Sequence, residues 1–240
     1  MFTTVIPVRS SSNRLPNKAL LPLSSSSTLI EHIISRVKLS RYCNDIILAT
    51  SVHDSDSVFE EIASKADVRL YRGSLNNVFS RFHDISSESS SSYLIRINGD
   101  CPYIDPSIID LVCLTAILNP PLDYVSSTLD DSWPIGQHIE VINSLVFRQI
   151  NINDLSDLEI EHVTPHIYNN PHKYSCYGVP SIRKLSSLRM TIDYAEDYSL
   201  AQEFFANHSF DATFSEIVDF ISSNPLAKML SQKYAKRAVL

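Results

Sequence analysis

Arg9, Arg14 and Lys18 all precede the first acidic residue, Glu31, in a chain whose formal net charge is −7. They lie in "IPVRSSSNRLPNKALLPL", residues 6–23, a stretch without a single glycine. Loops that grip phosphates usually use glycine, because it lets backbone amides close around an anion. Guanidinium and ammonium groups can replace that work if they are spread along an extended path, and Pro16 biases Leu15 toward one. Taken alone, the three cations read more simply as a solvated connection. Cations gathered locally in an acidic protein still point to a small anion rather than a polymer.

Two carboxylates offer the complement. Asp100, in "RINGDCP", follows an apolar run through an Asn-Gly turn, and Asp193, in "TIDYAED", follows another run directly. Each has a plain structural reading, as a turn aspartate bonded to its own backbone or as a helix cap. Glu196 and Asp197 read as favourable charges in the first turn of a helix and nothing more. Together, Asp100 and Asp193 facing the cationic loop would make a magnesium–triphosphate site, since Mg2+ takes one or two carboxylates plus phosphate oxygens and water.

The hydrophobic pattern predicts the elements that must hold these residues. "TTVIPV" (3–8), "DIILAT" (45–50), "VRLY" (68–71) and "YLIRI" (93–97) are short apolar or β-branched runs that suit strands. Helices are expected from Thr28, where "TLIE" is a capping box, over 55–65 and over 75–87. Asp105 followed by Pro106 marks another helix start. This alternation through the first 120 residues is the signature of βαβ units in a mostly parallel sheet. Beyond it, "DYVSS" (123–127), "HIEVI" (138–142) and "LRMTI" (188–192) read as strands, with helices over 144–151, 159–169, 195–206 and 214–223. The basic end "KYAKRAVL" is expected to fray, and the serine runs at 24–27 and 89–92 to be loops. Ligands of open parallel sheets bind beyond the carboxyl ends of the strands, where the cationic loop, Asp100 and Asp193 all fall.

The totals bound the remaining choices. At 240 residues, 44% hydrophobic and 20% charged, the chain suits one α/β domain spanning 1–240. Its acidity argues against a nucleic-acid binder driven by overall basicity. Four cysteines without CxxC or zinc spacing read as reduced thiols. The first residues do not have the pattern of a signal peptide, and no apolar run approaches the ~18 residues of a membrane span. A cytoplasmic location with no membrane partner is therefore expected.

The opening stretch resembles the signature of the sugar-acid cytidylyltransferases, and within them the branch of the spore-coat-polysaccharide type. "YRGSLNNVFSRF", "IRINGDCPYIDPSIID", "DYVSS", "WPIGQHIEVI", "EHVTPHIYNNPHKY" and "LRMTIDYAEDY" resemble its later blocks in order, to about residue 206. The resemblance implies a Rossmann-like α/β nucleotide-diphospho-sugar transferase fold: a mostly parallel central sheet, flanking helices and an irregular insertion. It also implies transfer of CMP from CTP to a sugar-acid hydroxyl with release of pyrophosphate, for surface polysaccharide or flagellin glycans. By matching position, Arg14 and Lys18 would hold the triphosphate with Arg9 in support, and Asp100 and Asp193 would bind Mg2+. Ser10, Asn13, Arg72 and Asn98 complete the expected nucleotide site, with Lys18, Arg14 and Asp100 as its catalytic residues.

The sequence departs from the family at three places. Asn17 precedes Lys18 where the family commonly has glycine, Asn76 and Asn77 replace a more acidic stretch, and His138 stands where aspartate is common, while Glu140 is kept. His138, Glu140, Glu161 and His162, in a segment, 128–187, that would bind the acceptor or form a homodimer face, are with Arg189 the expected acceptor-binding residues. Related synthetases imply 128–175 for that face. Arg72, Arg96 and Arg189 could each meet a substrate anion or form a structural ion pair. Two other readings stay open: a glycosyltransferase using a preformed nucleotide sugar, although "NGDCP" lacks the Asp-x-Asp motif it would need, or an inactive nucleotide-binding homologue.

Overall fold

The apolar and β-branched runs Phe2–Pro7 (β1), Ile46–Ser51 (β2), Arg69–Gly73 (β3) and Tyr93–Ile97 (β4) form strands. In the computed structural model they pair in parallel in the order β3-β2-β1-β4. The structure describes residues 1–24, 27–119 and 121–234. Helices Leu29–Val37 (α1), Val58–Lys65 (α2) and Val78–Glu88 (α3) link these strands, and Pro106–Leu118 (α4) follows β4. Helix α1 starts at the predicted capping box: the Thr28 hydroxyl accepts from the Glu31 amide, and the Glu31 carboxylate accepts from the Thr28 amide. Its Ile30, Ile33, Ile34 and Val37 are fully buried, so this face packs into the core. Asp105 caps α4, with Pro106 in the first turn.

Beyond α4 the strand direction changes. Tyr124–Ser126 (β5) and Ile139–Asn143 (β6) pair antiparallel, β6 runs antiparallel to β4, and Cys176–Gly178 (β7) runs parallel to β5. One seven-stranded sheet results, in the order β3-β2-β1-β4-β6-β5-β7. Short helices Ser144–Arg148 (α5), Asp157–His162 (α6) and Pro165–Tyr168 (α7) follow β6. Helices Ala195–Asn207 (α8), Phe214–Ser223 (α9) and Pro225–Tyr234 (α10) come last. Separate hydrophobic cores fill the two faces, one centred on Ile33, Ile95 and Ile109, the other on Phe79, Phe82 and Phe147.

Three expectations need correction. "LRMTI" is not a strand: Arg189 forms only a bridge with Ile135, through Ile135 N to Leu188 O at 2.9 Å and Met190 N to Ile135 O at 2.7 Å. Gly136 permits this approach, because at its φ of 106° a Cβ would lie 2.3 Å from the Met190 carbonyl oxygen. The helix expected over 159–169 divides at Val163, whose φ is 73°, and the Thr164 amide donates to His162 O at 2.9 Å. Helix α10 and strand β7 were not anticipated; α10 includes Lys233 and Tyr234 of the end expected to fray. Residues 235–240 of that end, and Ser25 and Ser26 of the serine run at 24–27, lie outside the described residues.

Candidate active site

β1 and β4 are neighbours, so the turns that leave them emerge side by side. A Cβ on Gly99 would lie 2.8 Å from the Pro7 carbonyl oxygen; glycine is what lets the "NGD" turn cross there. That crossing sets Asn98 and Asp100 against the loop of residues 9–18. The loop is anchored at its start by Asp56, which accepts from the Ser10 amide at 2.8 Å and the Ser10 hydroxyl at 2.6 Å. At its other end Asn17 is left-handed, at φ 54°, a conformation asparagine tolerates better than most residues. Asn17 thus takes the left-handed position that the resemblance assigns to a glycine.

Lys18 is the hub. Its Nζ donates to Asp100 Oδ2 at 2.7 Å, Ile192 O at 2.8 Å and Asp193 Oδ1 at 3.1 Å. Arg14 Nη2 donates to the same Asp193 oxygen at 2.6 Å, and Arg189 Nη2 to Asp193 Oδ2 at 3.0 Å. Asp193 reaches this point because the 188–193 segment is tied to the Asp100 turn, the Ile192 amide donating to Asp100 O at 2.9 Å. Burial alone would lower the Lys18 pKa, but Asp100 and Asp193 outweigh it and raise it, so the ammonium stays charged. Burial likewise pushes the Asp193 carboxyl up, yet Lys18, Arg189 and Arg14 together hold it below the usual carboxylate range.

Asp197, read from sequence as a first-turn charge only, does much more. Its carboxylate accepts from the Asp193 and Tyr194 amides at 2.9 and 3.0 Å and from Arg189 Nε and Nη2, both at 2.9 Å. It caps α8 and fixes Arg189 behind Asp193. The four-residue spacings from Arg189 to Asp193 and on to Asp197 were the available signal. The end of α10 adds Tyr234, whose ring stacks on Tyr194 at 4.1 Å, with Arg14 5.6 Å from the Tyr194 ring and Arg189 5.3 Å from that of Tyr234.

A cleft of about 390 Å³ opens over this cluster. Arg9, Asn13, Arg14, Lys18, Asn98 and Asp100 line it, together with Arg81, Arg96, Glu161 and His162. The oxygens of Asp100, Asp193 and Ile192 converge on one cationic centre, here the Lys18 ammonium. Such a hard oxygen set suits a divalent ion of the magnesium type. Among the described residues no three His, Cys, Asp or Glu side chains gather for a metal, so such an ion would take its other ligands from substrate and water.

Other expected residues lie elsewhere. Ser10 is buried on Asp56, and Arg72 is held by Ser51 O at 3.0 Å, His53 O at 3.1 Å and Glu60; neither lines the cleft. Glu140 is buried behind Arg96, its Oε1 accepting from Tyr124 Oη and Thr164 Oγ1, both at 2.5 Å. Burial works to raise the Glu140 pKa, but Arg96 and the two hydroxyls bring it below its ordinary value. His138 is half-buried beside this pair, and burial lowers its pKa against the pull of Glu140 and Asp100. Glu161 faces Arg9 at 3.7 Å. The four cysteines are free, and burial lifts the Cys101 thiol well above its usual range, which does not suit a nucleophile.

The spore coat polysaccharide biosynthesis protein SpsF of Bacillus subtilis is 32% identical over 230 residues, 92% of this chain and 94% of that protein. A 3-deoxy-manno-octulosonate cytidylyltransferase of Solibacter usitatus is 32% identical over 126 residues, 52% of this chain and 48% of that one. The solved structure of a cytidylyltransferase from Leptospira borgpetersenii superposes with a TM-score of 0.89 at 26% identity, covering 95% of this chain and 96% of that one. The cytidylyltransferase family model matches residues 3–235. The chain belongs to the cytidylyltransferase family.

Proposed function

We propose that this protein transfers CMP from CTP to a hydroxyl of an octulosonate- or nonulosonate-type sugar acid, with Mg2+, releasing pyrophosphate for a surface glycan. The observation that carries this reading is the convergence of Lys18 and Arg14 on Asp100 and Asp193 at the cleft mouth. Family membership and the similarity to a 3-deoxy-manno-octulosonate cytidylyltransferase support it. Arg14 and Lys18 take the triphosphate, with Arg9, Asn13 and Asn98 beside them on the cleft wall. Both cations stand on carboxylates that a phosphate can replace as partner. Asp100 and Asp193 would hold Mg2+, which when bound would help neutralise charge developing on the phosphate. The residues mainly position and neutralise, and no dedicated nucleophile is needed. Glu161 and His162 form the wall facing the acceptor.

Thermal melting with CTP, UTP, ATP and GTP, each with and without Mg2+, tests the nucleotide half. Selective, magnesium-dependent stabilisation by CTP is expected, because a ligand bound only to the folded state raises Tm. No response to any triphosphate would overturn it. Pyrophosphate release with CTP and 3-deoxy-manno-octulosonate tests the acceptor half.

A further inference from the structure

Arg72, Arg96 and Arg189 are the arginines expected to meet a substrate anion or form a structural ion pair, and the structure separates them. Arg72 donates Nε, Nη1 and Nη2 to Ser51 O, Glu60 and His53 O. Arg189 is gripped by Asp197 and Asp193. Arg96 is different: only its Nη1 is hydrogen-bonded among the described residues, to Glu140. Its Nε is buried with no hydrogen-bond partner there. The side chain, 14% exposed, forms part of the cleft wall near Asn98, Asp100 and His162.

Its aim is fixed from behind. Arg96 and Glu140 are opposite each other in the β4–β6 register. Glu140 also accepts from Tyr124 and Thr164, so its charge does not depend on Arg96 alone. Thr164 follows directly on Val163, a buried β-branched residue at φ 73°, a conformation such residues strongly avoid. The same turn follows Glu161 and His162, both on the cleft wall. Backbone outliers of this kind cluster where a site demands them.

We propose that the Nε–Nη2 edge of Arg96 receives the carboxylate of the acceptor, an inference that rests on the sugar-acid reading above. That edge is a planar two-donor fork, which matches the two oxygens of a carboxylate. A buried donor left without a partner is costly, and a bound carboxylate removes the cost. A hydroxyl would satisfy one donor; a carboxylate satisfies both. The triphosphate has its own cations in Arg14 and Lys18, so Arg96 acts on the acceptor and not on CTP.

The test uses the full chain and 3-deoxy-manno-octulosonate as probe. In Arg96→Gln, KM for the acid is expected to rise about 100-fold, the scale for loss of a buried charged hydrogen bond, while KM for CTP changes less than about twofold. Arg96→Lys, which keeps the charge without the fork, should recover only part of the loss. Because Arg96→Gln leaves Glu140 with one partner fewer, 15N-arginine NMR of the wild-type protein with CTP and without Mg2+ gives a second readout. The Arg96 Nε–H resonance should shift with the acid and not with the analogue whose carboxyl is reduced to an alcohol. An unchanged KM for the acid, a rise confined to CTP, or an equal or absent NMR response to acid and alcohol would each overturn the assignment. If the wild-type protein releases pyrophosphate while Arg96 proves indifferent, only this assignment falls. If no sugar acid supports release, the functional reading falls and takes this one with it.

Discussion

Arg36 and Lys18 are cations held by segments far along the chain, yet their settings differ in kind. Arg36 is fully buried and donates to the carbonyl oxygens of Ile104, Phe210 and Ala212 at 2.7, 2.5 and 3.1 Å, with Asp105 3.8 Å away. It clamps the loop before α4 to the one between α8 and α9. Lys18 sits instead between two carboxylates at the mouth of a cleft. Backbone carbonyls in a core cannot leave, so Arg36 is a fixed part of the fold. Carboxylates beside solvent can exchange a lysine for a metal ion, and a lysine can exchange them for a phosphate. Arg81 stands between the two cases: it donates to the carbonyls of Ser74, Ala49 and Leu75, as a clamp does, yet lines the cleft.

The contrast breaks most readily at Asp100. Asp100→Asn should lower turnover about a thousandfold, the upper scale for removing one group that stabilises transition-state charge, while Tm stays near the wild-type value. Pyrophosphate release at the wild-type rate would remove Asp100 from the chemistry. Arg36→Met should do the reverse. Denaturant titration is expected to show a loss of about 3–5 kcal/mol, as for other buried charges whose partners are stranded, with unchanged CTP affinity in the folded fraction. Weakened CTP binding by a folded Arg36→Met protein would erase the distinction.

Acid sharpens it further. Burial, then the neighbouring Arg36, holds the His32 pKa down to about 4 from an ordinary 6.5. Between those values the unfolded chain binds the extra proton, so this contribution is complete above pH 6.5 and lost as pH falls toward 4. The full effect is about 3 kcal/mol. Asp193 and Glu140, with depressed pKa values, contribute stability that disappears only at lower pH, as each is protonated in the folded state. Tm measured against pH should therefore decline in two stages, and His32→Phe should flatten the first. A single decline confined to the carboxylate range would contradict the first stage. The smallest effect is expected at Asn17. Asn17→Ala should cost about 1 kcal/mol and Asn17→Gly should cost less, because only the left-handed conformation distinguishes them.

Much of the fold was legible because the first half obeys local rules. The capping box at Thr28, the Asp105–Pro106 helix start and the four apolar runs each carry their signal within a few residues. The cationic loop and Asp100 were legible by residue type and position after strands, and Asp193 by residue type after an apolar run that proves not to be a strand. Asp56 was not, since the Ser10 amide it meets lies 46 residues away; Asp197 has all its partners within eight residues, yet a first-turn charge accounted for it without them. The same holds for "LRMTI": its composition suits a strand, but it crosses Gly136 and docks on the Asp100 turn outside the sheet. The break at Val163 was hidden because its conformation is imposed by packing on both sides and runs against the preference of valine itself.

Lys18 and Asp193 are separated by 175 residues, and Lys18 and Asp100 by 82. A ribosome delivers residues in order, so the cationic loop is made long before either carboxylate partner. β1 can pair with β2 once residue 51 has emerged, but it gains β4 only after residue 97. Arg14 and Lys18 can thus meet Asp193 only late in synthesis, after every strand of the sheet has emerged, whereas Lys18 can meet Asp100 much earlier. Slow, late closure over such separations is what contact-order arguments predict. A stalled chain that ends before Asp193 would hold all seven strands of the sheet while Arg14 still lacked its carboxylate partner.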